Sequence, residues 1–113
     1  MLGHIKKAFF YSMSGLNAAI KEETAVRLVL IQAIAIIAFI AFYPLPYIAK
    51  ALLLLSACIC IIVELLNSAI ENVVDLVTSD WHILAKKAKD MGSAAQFVAL
   101  TSLYLQLIMI FLE

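Results

Sequence analysis

The stretch "ALLLLSACICIIVELLNSAIENVVD", Ala51 to Asp75, decides how the chain is read. Thirteen uncharged residues, Ala51 to Val63, run without glycine or proline into a segment carrying Glu64, Asn67, Glu71 and Asp75. A helix needs roughly 20 mostly apolar residues to cross a bilayer core, and with Ile48 at its start this run is long enough. The polar residues at its far end are spaced by 3, 4 and 4. At about 100° per residue they share one helix face, within an arc of roughly 80°. An ionised side chain near the bilayer centre costs about 2.5–3.5 kcal/mol on insertion scales, so such a group faces a bundle interior or a wet cavity and marks function. Asp75 alone would suit a solvated helical extension; Glu64, directly behind the uncharged run, does not.

Outward from this segment the chain repeats the pattern. "LVLIQAIAIIAFIAFY", Leu28 to Tyr43, precedes Pro44 and Pro46, whose rings end a helix and mark a short turn. Residues Met91 to Leu112 carry no charge at all. In the first 26 residues, Leu2, Ile5, Phe9, Met13, Leu16 and Ile20 recur at steps of three and four, with Lys6, Lys7, Ser14, Asn17 and Lys21 opposite. That is an amphipathic helix suited to the membrane interface. The expected fold is an all-α membrane protein of one domain, residues 1–113. It comprises an interfacial helix over 1–26 and spans over about 28–47, 48–75 and 91–112, the second extending into the cytoplasm.

Composition agrees. Of 113 residues, 65% are apolar and 14% charged, and mean hydropathy is +1.06; that is an integral membrane protein. Eight basic and eight acidic residues cancel, so nothing draws the chain to nucleic acid. Cys58 and Cys60 lie two apart in an apolar segment, point to different sides of a helix and read as small hydrophobes. No small-residue cleavage site closes the first long apolar run, so no secretory signal is expected.

Lysine and arginine set the orientation. Lys6, Lys7, Lys21 and Arg27 precede the first span, Lys50 alone lies between the first and second, and Lys86, Lys87 and Lys89 lie between the second and third. The positive-inside rule places the N-terminus and the second connection in the cytoplasm. Glu64, Glu71 and Asp75 then lie toward the side that holds ATP and magnesium. "KEE", Lys21 to Glu23, and "AKKAKDMGSAA", with Lys89, Asp90 and Ser93, add carboxylates and lysines at the same surface. Carboxylates without thiolate partners suit a hard cation such as Mg²⁺, bound by one or two of them together with substrate phosphates. Phosphoryl transfer requires such positioning, plus a carboxylate to take the proton of the attacking hydroxyl. The three glycines, Gly3, Gly15 and Gly92, allow neither a P-loop nor a GxGxxG loop. His4 and His82 are too isolated for a dyad and read as interfacial contacts.

"ELLNSAIENVVD", followed by "KDMGSAA" with Lys89 fourteen residues after Asp75, closely resembles the small bacterial integral-membrane diacylglycerol kinases. So does "YS..GL.AA...E...R" from Tyr11 to Arg27. The resemblance implies a homotrimer in the bacterial inner membrane with active sites shared between neighbours, moving the γ-phosphate of ATP to the primary hydroxyl of diacylglycerol. It implies Glu64 as general base in contact with the lipid, and Glu23 and Glu71 as ligands of Mg²⁺ and nucleotide. It further implies Asn67, Asp75, Lys89 and Asp90 as polar active-site positions, the last two on the nucleotide. Tyr11, Asp80, Trp81 and His82 become nucleotide contacts and Ser93 a substrate contact. Two positions depart: His4 stands where better-known members have an arginine, and Val29 where they have a glutamate.

Undecaprenol kinases share this fold but read more like "LNTAIE" and "KDIAAGAV", so "LNSAIE" and "KDMGSAA" favour diacylglycerol. Intramembrane carboxylates alone would also permit an oligomeric proton or cation pathway. A pore has no need of the lysine–aspartate pair at Lys89 and Asp90.

Overall fold

The computed structural model describes residues 1–113 as four helices: α1 (Leu2–Glu22), α2 (Thr24–Phe42), α3 (Tyr47–Val77) and α4 (Ile83–Leu112). The last three are long and apolar enough to cross a membrane. The molecule is therefore an all-α membrane protein with an amphipathic helix ahead of three spans. Pro46 is the N-cap of α3, and its fixed φ of −57° leads into the first turn.

The break between α1 and α2 is a single extended residue, Glu23, with φ −116° and ψ 109°. No glycine or proline imposes it. Instead the Arg27 guanidinium folds back from α2, donating to the carbonyls of Ile20 at 2.6 Å and Lys21 at 3.2 Å and to Thr24 Oγ1 at 3.0 Å. These are end-of-helix carbonyls with no partner further along the chain, so the cation satisfies them and pins the joint.

α3 and α4 form an antiparallel hairpin. Its register is fixed by a ladder of polar contacts: Lys89 on Asp75, Gln96 on Glu64 and Gln106 on Ser56. The core is a thin seam, with Val29, Ala33 and Ile36 from α2, Leu53, Ala57 and Cys60 from α3, and Ala99 and Leu103 from α4. Each helix contributes at steps of three and four, and the small residues bring the backbones close, as membrane helices require where no water drives them together. Val29 sits in this seam at 6% exposure, so a carboxylate there would be buried among hydrocarbon.

α4 begins at Ile83, eight residues before the uncharged stretch, so Lys86, Lys87 and Lys89 stand on its opening turns and not in a loop. Hydropathy marks where a helix enters lipid, whereas lysines are good helix formers and simply prolong it beyond the membrane. α3 has 31 residues, about 46 Å at 1.5 Å per residue against about 30 Å of hydrocarbon. Both helices of the hairpin thus overshoot on the same side. Rings mark the opposite end: Phe39, Tyr43 and Phe111 cluster beside the proline turn, with centroids 4.9 and 5.9 Å apart, as at a membrane–water boundary.

Candidate active site

The polar face of α3 passes from buried to open along the helix. Glu64 is 7% exposed and Asn67 9%; Glu71 is half-buried and Asp75 exposed. Glu64 Oε2 accepts a hydrogen bond from Gln96 Nε2 at 2.7 Å, and the same amide nitrogen donates to the Cys60 carbonyl at 3.1 Å. One turn earlier on α4, Gly92 lies against Asn67: a Cβ there would overlap Asn67 Oδ1. At the open end, Lys89 Nζ donates to Asp75 Oδ1 at 2.7 Å, and Lys86 pairs with Asp90 at 2.6 Å one turn along α4.

The α3–α4 connection is compact because its polar side chains satisfy its backbone. Thr78 Oγ1 accepts from the Asp80 amide at 3.1 Å, and His82 Nδ1 accepts from the Leu84 amide at 3.0 Å, capping α4. This fold holds open a crevice of about 400 Å³ whose walls include Asp75, Asp80, Trp81, His82, Lys89 and Asp90. Six residues singled out from sequence thus share one depression. His82 caps α4 with one ring nitrogen, and Lys86 joins the same wall.

Other candidates lie elsewhere on the chain. Glu23 borders a separate cavity of about 500 Å³ between α1 and α3, with Ser12, Ser68 and Asn72 on its walls. Tyr11 is exposed on α1, and Ser93 on α4. Glu71 borders neither cavity. Within one chain no three histidine, cysteine or acidic side chains gather closely enough to form a metal cage.

Several interhelical polar groups escaped the sequence reading. Gln96 is the direct partner of the buried Glu64; elsewhere the half-buried Gln106 donates to Ser56, and the exposed Tyr104 hydroxyl to Gln32. The available signal was a lone amide within an uncharged span, which must find a partner on another helix.

The fold and this polar seam define the class: an all-α membrane protein that buries a carboxylate, Glu64, between two helices of a hairpin. Residues 10–111 match the family described as prokaryotic diacylglycerol kinase. A diacylglycerol kinase of Helicobacter pylori is 44% identical over 94 residues, covering 83% of this chain and 73% of its own. One from Pseudomonas aeruginosa is 44% identical over 100 residues, covering 88% and 81%; one from Escherichia coli is 42% identical over 96, covering 85% and 79%. The chain belongs to the prokaryotic diacylglycerol kinase family.

Proposed function

We propose that the protein transfers the γ-phosphate of ATP to the primary hydroxyl of diacylglycerol, giving phosphatidic acid and ADP. The observation that carries this reading is Glu64. It is a buried carboxylate without a cationic partner, at the inner end of a polar stripe whose outer end opens into a lysine-bearing crevice. The names of the relatives supply the lipid.

The stripe organises the reaction by depth. Asp75 lies eleven residues beyond Glu64, about 16 Å along the helix axis, with Glu71 between them. Trp81, His82, Lys89 and Asp90 bind the nucleotide at the crevice, with Tyr11 on the surface helix, and its phosphates run inward along the stripe. Lys89 offsets phosphate charge in a site otherwise rich in carboxylates. Glu23 and Glu71 are the residues that would hold Mg²⁺; the ion, when bound, neutralises charge on the transferring phosphoryl group. Ser93 contacts the lipid headgroup, and Asn67 is a polar position of the site beside Glu64. Glu64 takes the proton of the lipid hydroxyl as its oxygen bonds to the γ-phosphorus; the bond to the bridging oxygen breaks and ADP leaves.

Glu23 borders a cavity apart from the α3–α4 crevice, and neighbouring copies in a homotrimer would bring it to the same site as Glu64 and Glu71. The lysine distribution supports a cytoplasmic N-terminus and α3–α4 connection, and the family likeness a bacterial inner membrane.

Purified protein in mixed micelles should pass labelled γ-phosphate to diacylglycerol, and Glu64→Gln should lose turnover while keeping its oligomer. Normal turnover in that variant would refute the assigned base. Running undecaprenol beside diacylglycerol settles the acceptor, and a marked preference for the prenol would overturn the lipid assignment.

A further inference from the structure

We propose that Gln96 is a positioning residue: it holds the Glu64 carboxylate in its reactive pose and thereby sets the turnover rate, not substrate affinity. This rests on Glu64 being the base, as proposed above.

The geometry is a closed triangle. Gln96 Nε2 donates both to Glu64 Oε2 at 2.7 Å and to the Cys60 carbonyl at 3.1 Å. Cys60 lies one turn before Glu64 on the same helix, so the amide is anchored to the turn that carries the carboxylate. A glutamate side chain has three free torsions, and a hydrogen bond from an amide that is itself anchored to the Cys60 carbonyl removes much of that freedom at its tip. With Oε2 engaged, Oε1 is the oxygen left to receive a proton.

The electrostatics point the same way. The ion pairs of the chain, Lys86 with Asp90 and Lys89 with Asp75, both lie at the open end and leave Glu64 without one. Glu64 and Gln96 are 7% and 8% exposed. In surroundings this dry, a donated hydrogen bond counts for more than in water, and a carboxylate that lost it would be left without its one donor. Two further oxygens here, Gln96 Oε1 and Asn67 Oδ1, are buried and have no donor. Acceptors therefore outnumber donors around Glu64, where a hydroxyl would find partners.

A lost interhelical bond can also act by loosening the hairpin, and the same hairpin contains the control. Gln106 donates to Ser56 across α3 and α4, so Gln106→Met removes a comparable bond away from the site. The test measures kcat and KM for ATP and diacylglycerol on the full-length protein in mixed micelles, with oligomer size and helix content checked for each variant. Gln96→Met keeps the length and shape of the side chain without its donor; Gln96→Leu serves if the first fails to assemble. Misplacing a reacting group by about 1 Å costs on the order of a hundredfold, so kcat should fall about ten- to a hundredfold. KM should stay within about twofold, the pattern of an interaction that matters in the transition state. Gln106→Met should leave kcat near wild type. In a Glu64→Asp background, adding Gln96→Met should change kcat by less than about twofold, because its target has already moved.

If Glu64→Gln is inactive while both Gln96 variants turn over normally, the inference fails and the base assignment stands. A rise in KM alone, an equal loss in Gln106→Met, or an undiminished loss in the Glu64→Asp background would each also overturn it. Turnover by Glu64→Gln would remove the base and the inference together.

Discussion

At residue 92 the absence of a side chain is what lets Asn67 lie against α4. Gly92→Ala puts a Cβ into the Asn67 amide, and overpacking of this kind costs about 1–3 kcal/mol. The variant should lose activity at a lower temperature, measured as residual turnover after heating in micelles. Gly15→Ala is the counterpart: nothing lies within 4 Å of a Cβ there, and removing a helical glycine should leave stability unchanged or raised by about 1 kcal/mol. The sequence showed that Glu64 and Asn67 share a face, because that depends on spacing along one helix. It did not show that Gly92 and Gln96 face them, because that depends on the register between two helices, which no single-helix period encodes.

Elements show a similar division. The turn at Pro44 and Pro46 was legible from ring chemistry, but the joint at Glu23 was not, since nothing in "KEETAV" forbids a continuous helix. There the break is held by a side chain from the next helix, so Arg27→Ala should free the end of α1 and speed trypsin cleavage after Lys21 several-fold. At the hairpin's open end Lys89 and Asp75 are a solvent-accessible pair, worth about 0–1 kcal/mol to stability at most. Lys89→Ala should therefore melt close to the parent while kcat/KM for ATP falls steeply; a matching loss of stability would instead make the lysine a structural clasp. In the interior, Gln106→Leu should destabilise the hairpin by about 0.6 kcal/mol, up to about 1.7, the range for hydrogen bonds between membrane helices, read from unfolding in mixed detergents.

For the whole molecule the governing fact is how little of it is covered. Only 15 of 113 residues are buried, while Leu54, Leu55, Ile59, Ile62 and Leu66 on α3 stand exposed. A chain of this kind needs lipid, other copies or both around it, and if Glu23 serves the proposed site its separation from the α3–α4 crevice would give other copies a chemical task. Mixing Glu64→Gln and Glu23→Ala protomers should restore part of the activity that each lacks alone, because some mixed assemblies contain one intact composite site. No recovery after verified mixing would mean that every site is built within one chain. The thin seam has a further consequence if copies complete one another. Copies that cannot leave the bilayer would meet only by lateral diffusion, so assembly into the proposed homotrimer would be governed by molecules per unit area of membrane and not per volume of cell. Adding inert phospholipid at a fixed amount of protein, with diacylglycerol held at a constant mole fraction, should lower the activity per chain. A cell that expands its membrane faster than it makes this protein would dilute the enzyme in two dimensions.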